Sequence, residues 1–121
     1  MSTFNFEKLE VWQRAIDFAD LIYSSTRSFP QEERFGLTNQ MRRAVVSISS
    51  NIAEGSSRVS HADFAHFIEI ATGSVFEVVS QATMGLRQGL LSQENYGRIY
   101  AAAELQGKML SGLRRSLIIE S

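Results

Sequence analysis

The chain has no cysteine, one proline, two histidines and only two lysines, Lys8 and Lys108. Without cysteine there are no disulfides, no thiolate metal sites and no cysteine nucleophiles. His61 and His66 are five residues apart, which sets them well apart around a helix. No HExxH or ExxH pairing accompanies them, so a bundle-core metal site is not expected. The phosphate-cradling patterns GxxxxGK[ST] and GxGxxG are absent, as is the GxSxG nucleophile turn. No cofactor, metal or small-molecule substrate is expected, and no nucleophile, base and orienting group can be assembled into an enzyme. No apolar run approaches membrane-spanning length, and the opening MSTFNFEKLE lacks a basic-then-apolar signal pattern. A cytoplasmic protein is therefore expected. The formal net charge is −1 at pH 7, so nucleic-acid binding would have to use a local patch. No segment alternates apolar and polar residues at period two, and no strand is expected.

What remains is strongly helical. The 121 residues suit one domain, 1–121, long enough to bury a core. A first helix is expected over 8–27, with Leu9, Trp12, Ile16, Ala19 and Tyr23 as its apolar stripe, widened by Val11, Phe18 and Ile22. Phe4 and Phe6 precede it as an arm expected to pack on the domain. Phe29-Pro30 ends this helix, because a residue before proline avoids the helical region. The second helix, 37–57, carries Leu37, Met41, Ala44, Val45, Ile48 and Ile52 at three- and four-residue steps. Ser60 and Asp63 have the spacing of a capping box opening a third helix, 61–88, which Gly89 is placed to end. Its apolar arc, Phe64, Phe67, Ile68, Ala71, Val75, Phe76, Val78, Val79 and Leu86, is wider than the roughly 100° stripe of a simple surface helix. Such a helix is expected to meet more than its own bundle, which motivates a homo-oligomer. Ser92 caps a fourth helix, 93–117, whose Tyr96, Ile99, Ala103, Gln106, Leu110, Leu113 and Leu117 form a coiled-coil-like seam. Four such helices with short connections read as an all-α, antiparallel up-down-up-down four-helix bundle. Trp12, Tyr96 and Tyr100 lie on apolar stripes and read as core rather than as base-stacking platforms. The glycines at 73, 85, 89, 97, 107 and 112 read as sites of close helix packing.

Beside the apolar stripe of the second helix runs a polar one: Gln40, Arg43, Ser47, Asn51, Glu54 and Arg58. A solvated face would be rich in Lys and Glu; this one is rich in groups that hydrogen-bond specifically. Glu54 and Arg58 are four apart in the favourable order for a helix ion pair. Arg42-Arg43 and Arg114-Arg115 are paired basic sites, read either as phosphate contacts or as salt-bridging groups. Glu77 lies away from the core side of the third helix, so it and the stripe are expected to meet at a subunit boundary.

These residues also carry a resemblance. LEVWQRAIDF, FPQEERFGLTNQMRRAVVSISSNIAEGSSR and DFAHFIEIATGSVFE closely resemble the four-helix-bundle proteins of the 23S rRNA intervening-sequence protein family, from Leu9 to Glu77. The resemblance implies a bundle that assembles as a homopentamer. It also implies a link to RNA, since some members are encoded within rRNA intervening sequences. A related branch, the accessory variability protein of diversity-generating retroelements, is a basic barrel that works with a reverse transcriptase and RNA; this chain departs from it in its slightly acidic charge. The family motif falls on Gln40, Arg42, Arg43, Ser47, Asn51, Glu54, Gly55, Arg58, Ser74 and Glu77, as an interface or a nucleic-acid-binding cluster with no catalytic role. The expected function is a non-catalytic, homo-oligomeric scaffold that holds RNA or a nucleic-acid-processing protein. The alternative is a homo-oligomeric protein-interaction module with no nucleic-acid role.

Overall fold

A computed structural model describes residues 3–120, so residues 1, 2 and 121 of the expected domain lie outside it. A 3-10 turn at Asn5–Lys8 leads into α1 (Glu10–Thr26), and a second at Gln31–Glu33 leads into α2 (Leu37–Ser56). The chain continues as α3 (His61–Arg87) and α4 (Gln93–Glu120). Among the described residues there is no strand. Nor is any helix long and apolar enough to cross a membrane. Each α-helix packs against two others: α1 on α2 and α4, and α3 on α2 and α4.

Local chemistry sets each helix boundary. α1 begins at Glu10, later than the pattern suggests, because Asn5–Lys8 form the tighter 3-10 turn first. Pro30, at φ −63°, starts the second short turn. Glu33 in that turn then accepts the free Leu37 N–H at 3.1 Å, capping α2 in place of a side chain at Gly36. Ser60 Oγ accepts the Asp63 N–H at 3.1 Å at the start of α3. Ser92 Oγ accepts the Asn95 N–H at 3.0 Å at the start of α4. Gly89, at φ +74°, is the only residue with positive φ among the described ones. It lets the chain turn so that Leu90 N–H reaches back to the Gly85 carbonyl at 2.8 Å, closing α3.

All six apolar positions of the α2 stripe are buried, with Met41, Val45, Ile48 and Ile52 fully so. Ile68, Ala71, Val75 and Val78 of α3 face them, and Ile99, Ala103, Leu110 and Leu117 of α4 complete that side of the core. Gln106 is enclosed in the same seam, where its Nε2 donates to the Val11 carbonyl at 3.1 Å and ties α4 to α1.

Three expectations are corrected. The core line of α1 is Val11, Ala15, Phe18 and Ile22, not the stripe centred on Trp12, Ile16 and Tyr23. Trp12 and Ala19 pack partly buried beside that line, and Tyr23 stays at the surface. Of the two N-terminal rings, Phe6 packs edge-on against Trp12 at 4.9 Å, whereas Phe4 is 63% exposed. Close packing explains Gly85, whose missing Cβ would sit 3.3 Å from Leu91, but not Gly73, Gly97, Gly107 or Gly112, which have open space where a Cβ would be.

Candidate functional site

Successive polar residues of α2 are divided among three surroundings. Arg42 turns toward α1, where Nε donates to Thr26 Oγ1 at 3.0 Å and the guanidinium lies 4.6 Å from the centre of the Tyr23 ring. It is a clamp between α1 and α2. Arg43, the next residue round the helix, faces the groove between α2 and α3 instead. Farther along, Arg58 pairs with Glu54 at 2.7 Å and covers the Phe67 ring at 4.6 Å. That ion pair is largely exposed and contributes only a few tenths of a kcal/mol.

Between the two ends, α2 and α3 share a polar seam. Ser74, buried on α3, donates to Ser47 Oγ at 2.9 Å. Asn51 Nδ2 donates to the same oxygen at 3.0 Å and to the Ser47 carbonyl at 2.8 Å. Ser47 Oγ therefore accepts twice and keeps its own proton to donate. Gly55 allows the close approach at the end of the seam: a Cβ there would lie 2.8 Å from Phe67 Cβ and 2.9 Å from Phe64 Cδ1.

Above the seam is an open pocket of about 330 Å³, walled by Gln40, Arg43 and Ser47 from α2 and by Glu77 and Gln81 from α3. Gln40, Arg43, Ser47 and Glu77 thus meet within one chain, so no subunit boundary is needed to bring Glu77 to the stripe. The physical reason is helix phase. Glu77 is at the surface of α3, but on the flank next to α2. Gln81 and Asn39 also line this pocket and were missed by the sequence reading. Gln81 lies four residues beyond Glu77, and that spacing was its only signal.

A second concavity lies on the other flank of α3. Val75, Phe76 and Val79 of α3 and Tyr100, Ala103 and Gly107 of α4 line an open, mainly apolar groove of about 920 Å³. Phe76 is 71% exposed there, so the wide apolar arc of α3 is only partly used by its own bundle. Lys108 and Arg115 stand at the rim with Glu104. Arg114 turns away and pairs with Glu69 at 3.0 Å. His61 and His66 are exposed, and no group of three His, Asp or Glu among the described residues is placed to hold a metal ion.

No curated protein matches the chain. A solved structure with the same fold is that of a protein of unknown function from the S23 ribosomal protein family of Bacteroides thetaiotaomicron VPI-5482. The two superimpose with a TM-score of 0.77 at 24% identity, over 86% of this chain and 97% of that one. The family model described as 23S rRNA-intervening sequence protein matches residues 7–112, which include the α2 stripe, the pocket and all of the groove lining but Arg115. The chain belongs to the 23S rRNA-intervening sequence protein family.

Proposed function

We propose that this protein is a non-catalytic, homo-oligomeric helical-bundle scaffold, assembled as a pentamer, whose role is to hold RNA or a ribonucleoprotein partner. The observation that carries self-assembly is the open groove of about 920 Å³ between α3 and α4, with Phe76 71% exposed at its edge. An apolar groove with an exposed ring at its edge is a surface that a second copy of the chain can cover. The number five and the RNA partner rest on the family resemblance. An antiparallel, up-down-up-down course is supported by the contacts between α2 and α3. Leu37 meets Gly85, Ser47 meets Ser74, and Gly55 meets Phe64 and Phe67, one number rising as the other falls. No catalytic role is assigned to the seam, because its hydroxyls are engaged with one another and with Asn51 rather than with a base.

The assembly reading is tested by Phe76→Glu. Because the ring is mostly outside the protomer core, the variant is expected to keep its helical circular dichroism and to lose mass by light scattering. An unchanged mass would remove the groove from the interface.

A second reading is favoured by the formal net charge of −1: a protein-interaction module with no nucleic-acid role. Salt separates the two. Phosphate contacts by Arg43 and Arg58 would make RNA affinity fall steeply with salt, and Arg43→Ala and Arg58→Ala are each expected to lower the logarithmic salt slope by about 1. RNA binding that is absent, or insensitive to both substitutions and to salt, would favour the protein-only module.

A further inference from the structure

We propose that the polar pocket between α2 and α3 binds the ammonium–carboxylate head group of a free α-amino acid. Two features of its lining lead to this ligand class. First, Gln81 Oε1 is enclosed and has no hydrogen-bond partner, the only such buried side-chain atom among the described residues. An enclosed acceptor without a donor is a cost to the free protein, and the half-buried Gln81 side chain removes that cost when it turns its oxygen out toward a donor-bearing ligand in the pocket. Second, Arg43 and Glu77 both wall the pocket, yet neither takes part in an ion pair among the described residues. By contrast, Glu54 of α2 is closed on by Arg58 at 2.7 Å, and Glu69 of α3 by Arg114 at 3.0 Å. Arg43 and Glu77 stand on separate helices across a cavity of about 330 Å³ and leave a positive and a negative wall.

A zwitterion matches that arrangement group by group. An ammonium has three donors and no acceptor, which suits the Glu77 carboxylate and Gln81 Oε1 on one helix face. A carboxylate suits the planar fork of Arg43, with the free Ser47 proton beside it. Other classes fit less well. No aromatic ring lines the pocket, so a nucleobase would find no stacking surface. A phosphate would meet Arg43 but also the Glu77 carboxylate. The Asn39, Gln40 and Ala44 side of the lining leaves room for a small or polar amino-acid side chain.

The test is calorimetric titration of the full chain with each of the standard amino acids, with ethanolamine as an amine lacking the carboxylate and with acetate as an acid lacking the amine. The expected result is saturable binding of at least one small or polar amino acid and of neither half-ligand. Arg43→Gln, Glu77→Gln and Gln81→Leu are each expected to weaken that binding about tenfold or more, since each removes one of the charge-assisted or enclosed contacts. Light scattering on the same variants is expected to show unchanged mass. Three results would overturn the proposal: no binding of any amino acid at millimolar concentration, equal binding of ethanolamine, or full affinity in both charge variants. A fall in assembled mass in Arg43→Gln or Glu77→Gln, with no change in amino-acid binding, would also overturn it and assign the pocket to a subunit contact.

Discussion

Replacing Ile48 or Ile68 by alanine is expected to destabilise the folded chain by about 2–5 kcal/mol, the range for deleting a buried branched side chain. Both side chains are completely enclosed, Ile48 on α2 and Ile68 on α3, two helices that pack against each other. The loss has two parts. The deleted methyl and methylene groups forgo their transfer from water, and the space they leave is refilled only as far as the helices can move together. At this site collapse is limited, because the polar seam of Ser47, Ser74 and Asn51 fixes the spacing of α2 and α3 from one side. Chemical denaturation at a fixed protomer concentration measures the effect; the concentration matters because assembly would add to apparent stability. A change below about 0.5 kcal/mol, the size typical of surface substitutions, would mean that α2 and α3 do not bury these faces against each other.

The second large effect is expected at Gly55, and it has an internal control. Alanine is the better helix former by about 1 kcal/mol, so propensity alone predicts stabilisation. Geometry opposes it. The added Cβ would lie 2.8 Å from Phe67 Cβ, an atom one bond from the α3 backbone that cannot rotate aside. Relief requires α2 and α3 to separate, and overpacking of this kind costs about 1–3 kcal/mol. Gly55→Ala is therefore expected to be destabilising despite the propensity gain. Gly55→Leu, with a whole side chain to place between Phe64 and Phe67, is expected to lie at or beyond the top of that range of about 3 kcal/mol. Gly97→Ala is the control. Nothing lies within 4 Å of the position its Cβ would take, so propensity is expected to win and stabilise the chain by about 0.5–1 kcal/mol. The same substitution with opposite signs at two helical glycines, read from two denaturation curves, distinguishes packing from propensity. If Gly55→Ala stabilised the protein as Gly97→Ala does, the close approach at the end of the α2–α3 seam would be wrong.

The contrast between these glycines also shows what a sequence can reveal about such a fold. The buried face of α2 is legible, because its apolar residues are aliphatic, evenly spaced and flanked by unmistakably polar ones. Every member of the stripe from Leu37 to Ile52 is buried. α1 is legible as a helix but not in phase. Trp12, Ile16 and Tyr23 are large and apolar enough to draw the stripe toward themselves, while the true centre runs through the small Ala15. Aromatic residues with polar tips tolerate the flank of a core, so size is a poor guide to which side faces in. The candidate site divides the same way. The α2 residues Gln40, Arg43 and Ser47 share a face by helical spacing alone. That Glu77 and Gln81 join them depends on how α3 is rotated against α2, and no spacing within one helix encodes that rotation. Arg42 and Arg43 make the point at the smallest scale: adjacent in sequence, they serve opposite neighbours, one clamped on Tyr23 and the other walling the pocket.

The surface of α3 opposite that pocket carries the functional reading. A helix with a core face, a polar seam and an exposed Phe76 beside an apolar groove has three sides to satisfy, and its own bundle supplies partners for two. The wild-type mass in solution, by multi-angle light scattering at micromolar protomer concentration, tests this most directly. The account predicts an assembly, with about 68 kDa for five protomers of 13.6 kDa each. A stable dimer or tetramer would leave the scaffold reading in place and reject the number five. A mass that stays at 13.6 kDa at every concentration would contradict the account.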